Sequence, residues 1–124
     1  MILLLDGTSD SRELALELIA AGYSIIATAT TEDGIRKLEN MNITVVKGKL
    51  NYESLLSKCQ ELSITAIIDG THPYADAMHE NAIKASHDLG IPLIRFEREK
   101  IKVNQDKIIY ADNYEDAVNI AGKI

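Results

Sequence analysis

Short apolar runs alternate along this chain with longer stretches in which apolar residues recur every three or four positions. Residues 1–5 form a continuous apolar run, and residues 10–21 then place Leu14, Ala15, Leu18 and Ile19 on one helical face that Gly22 closes. Residues 24–29 read as a second buried strand, and residues 30–34 turn into a short helix carrying Ile35 and Leu38. A third strand follows at residues 43–46. Asn51 caps a helix whose Tyr52, Leu55, Leu56, Cys59 and Leu62 keep a stripe at i, i+3, i+4 and i+7, which makes Cys59 a core residue and not a nucleophile. The run 65–68 is short, apolar and β-branched, as suits a strand buried on both faces of a parallel sheet. Its helix is predicted to open at Pro73, whose missing N–H has no partner to lose in a first turn. That helix runs to about Leu89 with Ala75, Met78, Ala82, Ala85 and Leu89 inward; Gly90 ends it and Pro92 prevents its continuation. Residues 93–96 form a fifth strand, residues 107–110 a sixth, and a last helix presents Tyr114, Ala117, Val118 and Ala121 on one face.

Strands and helices thus alternate throughout, which predicts an α/β domain: a parallel sheet of five or six strands with helices on both faces and right-handed crossovers. The expectation is a Rossmann-like three-layer domain with strand order 3-2-1-4-5. At 124 residues the chain is one domain, large enough for a core without disulfides or a structural metal.

Charge and composition narrow the class of partner. A net charge of -6 argues against a nucleic-acid footprint or an anionic membrane surface, so small molecules are the expected partners, with no nucleic acid and no membrane. The single cysteine suits a reducing cytoplasm, no apolar run approaches the roughly 18 residues of a membrane span, and the N-terminus lacks the basic flank of a signal peptide. A cytoplasmic location is expected.

Two of the apolar runs end in the same tripeptide, Asp6-Gly7-Thr8 and Asp69-Gly70-Thr71. A glycine just past a strand lets backbone N–H groups approach a ligand, and the helix that follows favours negative charge at its start. In doubly wound sheets ligands sit outside the carboxyl ends of the strands where the strand order reverses. Helix capping and tight turning would also explain either tripeptide alone; the pair in one short domain points to a ligand site.

The first loop is not the Gly-x-Gly-x-x-Gly fingerprint, but its chemistry suits a phosphate: Gly7 permits close approach, Thr8, Ser9 and Ser11 offer hydroxyls, and Arg12 a guanidinium. Gly70 and Thr71 offer the same from the second loop. At the end of the second strand, Thr28, Thr30 and Thr31 precede the first carboxylate, Glu32, so a 2′-phosphate would meet hydroxyls and no opposing charge, which leans toward NADP. Threonine is also simply a good strand residue. His72 and Tyr74 flank Pro73 at the mouth of the crevice, and Arg95 and Arg98 follow the fifth strand at the same edge, spaced to clamp substrate carboxylates. A run that includes Glu97 and Glu99 is as readily a solvated edge. His79 and His87 lie further along the helix after Pro73, too few converging ligands for a metal, so none is expected.

Some competing chemistries lack support. Aspartate-nucleophile phosphatases carry their nucleophile two residues before Asp-Gly-Thr, where this chain has Leu4 and Ile67. No serine sits on a Gly-x-Ser-x-Gly elbow. A phospho-receiver would need an acceptor aspartate at the end of the third strand, which here ends Val46-Lys47-Gly48.

The residues 69–75, Asp-Gly-Thr-His-Pro-Tyr-Ala, resemble the Asp-Ala-Thr-His-Pro-Phe/Tyr-Ala motif of the precorrin-6A and cobalt-precorrin-6A reductases of cobalamin biosynthesis. Residues 4–12 are similar to that family's opening strand and Gly-Gly-Thr-x-Glu-x-Arg loop, with Asp6 in place of the first glycine. Residues 48–51 resemble its Gly-Arg-Leu-Asp, and residues 90–98 its Gly-Ile-Pro-x-x-Arg-x-x-Arg, with Glu99 where proline is usual. The resemblance implies an oxidoreductase that uses NADPH to reduce a double bond of a tetrapyrrole bearing many carboxylates. By the same resemblance the family carries a second domain, so the chain is expected to be the N-terminal half, partnered by a missing C-terminal domain and inactive alone. It also gives His72, Tyr74, Arg95 and Arg98 a substrate to bind. The alternative expectation is a non-catalytic nucleotide-binding or flavodoxin-like sensing domain with its ligand at the same edge.

Overall fold

The computed structural model describes residues 1–71 and 75–96, together with the backbone of residues 108–111. Its elements are β1 (Ile2–Asp6), α1 (Ser9–Ala20), β2 (Ile25–Ala29), α2 (Glu32–Asn40), β3 (Thr44–Lys47), α3 (Tyr52–Glu61), β4 (Ala66–Gly70), α4 (Asp76–Leu89), β5 (Leu93–Phe96) and β6 (Ile108–Ala111). The six strands form one parallel sheet in the order β3-β2-β1-β4-β5-β6. The predicted fold class and the order 3-2-1-4-5 are borne out, with β6 added beyond β5. The final predicted helix and Pro73 lie outside the described residues.

Alternation along each strand divides the core in two. Leu4, Ala27, Ile68 and Ile94 point to the face covered by α1 and α2, where Leu14, Leu18 and Leu38 meet them. Leu3, Leu5, Ile26, Ile67 and Leu93 point to the other face, against Leu55 and Cys59 of α3 and Ala82 and Ala85 of α4. Both sides of the sheet are apolar because both are buried, which is why the strands read as unbroken apolar runs. Cys59 belongs to this core, and burial pushes its thiol up to about 11, far from a reactive thiolate. Tyr52 ties α3 to α4 through a hydrogen bond to Asp88, with the Lys84 ammonium 4.2 Å from its ring centre.

One boundary differs from the sequence expectation in a way that matters for the site. The apolar run stops at Ile68, but β4 continues through Asp69 and Gly70, because those residues still pair with Leu5 and Asp6 of β1. Parity then sends the two aspartates apart: Asp6 follows Leu4 toward α1 and α2, and Asp69 follows Ile67 toward α3 and α4.

The four described helices end alike. Each is followed by a residue of positive φ, at Gly22 (97°), Asn42 (62°), Ser63 (53°) and Gly90 (68°). The next N–H returns to a helix carbonyl, as in Ile64 to Cys59 and Ile91 to Ser86. Ser63 is the residue of the four least suited to that backbone region. Ser63→Gly is expected to raise stability by about 0.5–1 kcal/mol, read from the midpoint of urea unfolding at unchanged slope; a lowered midpoint would contradict the assignment of this turn.

Candidate functional site

The carboxyl ends of β1 and β4 lie side by side at the point where the strand order reverses, since β1 is flanked by β2 on one side and β4 on the other. Both Asp-Gly-Thr loops open there. Thr8 Oγ1 donates to the Gly70 carbonyl at 3.2 Å, so the loops are joined directly.

Asp69 stands between Leu5 and Arg95 in the sheet register and is 1% exposed. Its Oδ1 accepts the Thr71 N–H at 3.1 Å and the Thr71 hydroxyl at 2.6 Å, and lies 3.0 Å from Arg95 Nη1. Its Oδ2 lies 2.6 Å from His79 Nδ1, in the first turns of α4. A carboxylate only accepts, so Nδ1 carries the proton in that bond. Burial alone would push the Asp69 carboxyl up, but the His79 hydrogen bond, the Arg95 charge and the Thr71 hydrogen bonds outweigh it and hold it below its ordinary value. Asp69 is therefore the anion at the centre of a buried cluster that joins β4, β5 and α4.

Arg95 takes a different part from the one its position suggests. The sequence places it as a clamp for ligand carboxylates, yet it is only 7% exposed and its Nη1 faces the Asp69 carboxylate and the carbonyls of Asp69 and Thr71, at 3.4 and 3.3 Å. It comes from an inward-facing strand position opposite Asp69, and the buried anion draws it in. Arg98, His72 and Tyr74, the other expected substrate contacts, lie outside the described residues.

At the end of β1 the chain carries a carboxylate, Asp6, and the structure shows how it is accommodated. The Asp6 side chain is 3% exposed, with Oδ2 3.0 Å from Arg12 Nη1 and Oδ1 2.6 Å from Ser11 Oγ. Its charge is thus matched and turned away from the surface. Thr8, not Asp6, caps α1: its hydroxyl accepts the Ser11 N–H at 3.1 Å, in a reciprocal capping box with Ser11. Gly70 is required by this packing. A Cβ built on it would fall 2.4 Å from the Ser11 Cβ and 3.3 Å from the Leu5 carbonyl oxygen. Gly70, expected to admit a ligand, instead admits the first turn of α1.

The three threonines at the end of β2 separate. Thr28 is 5% exposed and points to the α3 and α4 face with Ile26, so it is withdrawn from the edge where its expected ligand would lie. Thr31 caps α2 by accepting the Gly34 N–H at 3.0 Å. Thr30 and Thr31 are exposed, as are Gly7 and Ser9 across the edge.

His79 was not among the predicted site residues. A signal for it exists in the spacing of Ala75, His79, Ala82 and Ser86, an inward stripe on α4 that carries an imidazole among small residues. Among the described residues no group of three or more His, Cys, Asp and Glu side chains could hold a metal ion, and no helix is long and apolar enough to cross a membrane. A depression of about 430 Å³ opens at the amino edge of the sheet, lined by Met1, Tyr23, Thr65 and Ile91 among others; it is remote from both loops and has no charged side chain in its lining.

A family model described as precorrin-6x reductase CbiJ/CobK matches residues 1–124. The cobalt-precorrin-6A reductase of Priestia megaterium is 37% identical over 123 residues, covering 99% of this chain and 48% of that protein. The cobalt-precorrin-6A reductase of Methanocaldococcus jannaschii is 34% identical over 123 residues, covering 98% of this chain and 49% of that protein. The chain spans about half the length of the curated relatives it matches. A solved structure described as CobK precorrin-6A reductase superposes with a TM-score of 0.67 at 24% identity, over 83% of this chain and 41% of that one, which supports the fold.

Proposed function

The chain belongs to the precorrin-6x reductase family, and from that premise we propose that its carboxyl edge holds NADPH in an enzyme that reduces a double bond of the precorrin-6A or cobalt-precorrin-6A macrocycle. The observation that carries the reading is the junction of the two Asp-Gly-Thr loops at the sheet's switch point, where an α/β domain of this order takes its ligand. The residues fit a dinucleotide there. Arg12 and Ser11 neutralise and cover the Asp6 carboxylate, so it does not oppose a phosphate, while Gly7, Ser9, Thr30 and Thr31 are exposed beside it.

The cofactor, when bound, supplies the hydride, and a proton reaches the neighbouring carbon to complete the reduction. The chain's own residues bind and orient. Gly7 and Ser9 bound the phosphate side; Thr8 holds the first loop to the second, and Arg12, expected from the sequence to meet the phosphate, is engaged by Asp6. His72 and Tyr74, which follow Thr71 in the chain, are proposed to meet the carboxylate-bearing macrocycle. In this reading the chain is the N-terminal domain of a two-domain enzyme in the cytoplasm, its substrate bound between this edge and the second domain. The test is turnover by the intact protein given cobalt-precorrin-6A under anaerobic conditions. It should oxidise one NADPH per macrocycle reduced; failure to oxidise NADPH with either form of the substrate would overturn the proposal.

A further inference from the structure

We propose that His79 is a positioning residue for the macrocycle, acting through Asp69 to hold the amino end of α4 against the end of β4; this rests on the reductase reading above. The other three described helices open on a side chain that accepts a backbone N–H: Thr8 for α1, Thr31 for α2 and Asn51 for α3. α4 opens at Ala75, which has no such group. A helix start without a cap depends on other contacts to hold its first turn in place. Here the contact comes from one turn inside the helix. The His79 N–H donates to the Ala75 carbonyl at 3.0 Å, and its imidazole reaches back to the sheet, with Nδ1 2.6 Å from Asp69 Oδ2 and 3.2 Å from the Thr71 hydroxyl. One residue thus touches both Thr71 and Ala75, which stand on either side of His72 and Tyr74 in the chain.

Burial makes this tie hard for water to replace. The Asp69 side chain is 2% exposed and that of His79 18%. Arg95 and Thr71 share the carboxylate's Oδ1, and Oδ2 takes the imidazole. The bond is made to an ionised acceptor, which makes it stronger than a bond between neutral groups. Strand parity sets Asp69 on the α3 and α4 side of the sheet, whereas Gly7, Ser9, Thr30 and Thr31 belong to the loops that lead into α1 and α2. Loss of the tie is therefore felt on the macrocycle side of the edge and not by the dinucleotide. His79 acts through the two residues it joins.

The test is steady-state kinetics of the intact protein with NADPH and cobalt-precorrin-6A, together with the NADPH dissociation constant by calorimetry. His79→Leu keeps the size and helical preference of the residue and removes the donor. It should raise KM for the macrocycle by about tenfold, the scale of a lost hydrogen bond to a charged group, with kcat and the NADPH dissociation constant unchanged. His79→Asn, whose amide nitrogen falls nearly where Nδ1 lies, should bring KM back. If His79→Leu does not fold, His79→Gln takes its place, since its amide nitrogen lies one bond beyond the Nδ1 position. An unchanged KM in the variant without the donor, an equal weakening of macrocycle and NADPH, or a His79→Asn protein as impaired as that variant would overturn the positioning role while leaving the reductase reading in place. If the unaltered protein turns over neither form of the substrate, both fall.

Discussion

Asp69→Ala is expected to lower folding stability by about 3–5 kcal/mol, because it removes the buried carboxylate that the Arg95 guanidinium faces. Arg95 sits 3.0 Å from the carboxylate, and His79 and Thr71 would lose the same acceptor. Asp69→Asn keeps the shape and isolates the charge. The folded carboxyl is held below its ordinary value of 3.8, so its contribution is complete above that value and is lost as the pH falls below it and through the folded value. The stability difference between the unaltered protein and Asp69→Asn should therefore shrink as the pH falls below about 4. Urea unfolding of the three proteins across this range measures both effects. A loss under about 1 kcal/mol for Asp69→Ala, or a difference independent of pH in the acid range, would remove the buried anion from the centre of the cluster.

Gly70→Ala should be the most damaging single methyl group that can be added at the carboxyl edge. The new Cβ would lie 2.4 Å from that of Ser11, which is itself fully buried and tied to Asp6 and to the Thr8 carbonyl. Overpacking of this kind costs about 1–3 kcal/mol, and here it also displaces the start of α1 and with it the first loop. Removing the opposing atom in Ser11→Gly costs stability on its own through the lost hydrogen bonds. In combination the two changes should be less harmful than their sum by about 1 kcal/mol or more. Strict additivity would show that the contact is relieved elsewhere. Ser11 thus meets both loops: its hydroxyl donates to the Asp6 carboxylate, and its Cβ fills the space beside Gly70.

The fold was legible because the sheet is buried on both faces. Runs such as Leu3-Leu4-Leu5 and Ile67-Ile68 carry the period of the core, and Gly22 and Gly90 mark helix ends whose backbone needs positive φ. The meeting of the two loops was legible too, since two strands ending in the same tripeptide suggested neighbours at a switch point, and β1 and β4 are neighbours there. What each side chain does there was less so. Whether Arg95 reaches outward to a ligand or inward to Asp69 depends on a register across β4 and β5 that local pattern does not carry. Thr28 and Thr30 are alike in sequence, but strand parity buries the first while the second stands exposed past the strand end. His79 was passed over because its partner is ten residues back and across a turn. Gly70 was assigned to a ligand because the helix start that fills its missing side chain comes from residue 11, a contact visible only in three dimensions.

The central claim, that the carboxyl edge of this chain takes the nicotinamide cofactor, is tested most directly by titrating the isotope-labelled intact protein with NADPH and following backbone amide shifts. Saturating shifts at Gly7, Ser9, Thr30 and Thr31 are the predicted result. Saturation of the protein with NADPH and no shift at any of these residues would contradict it.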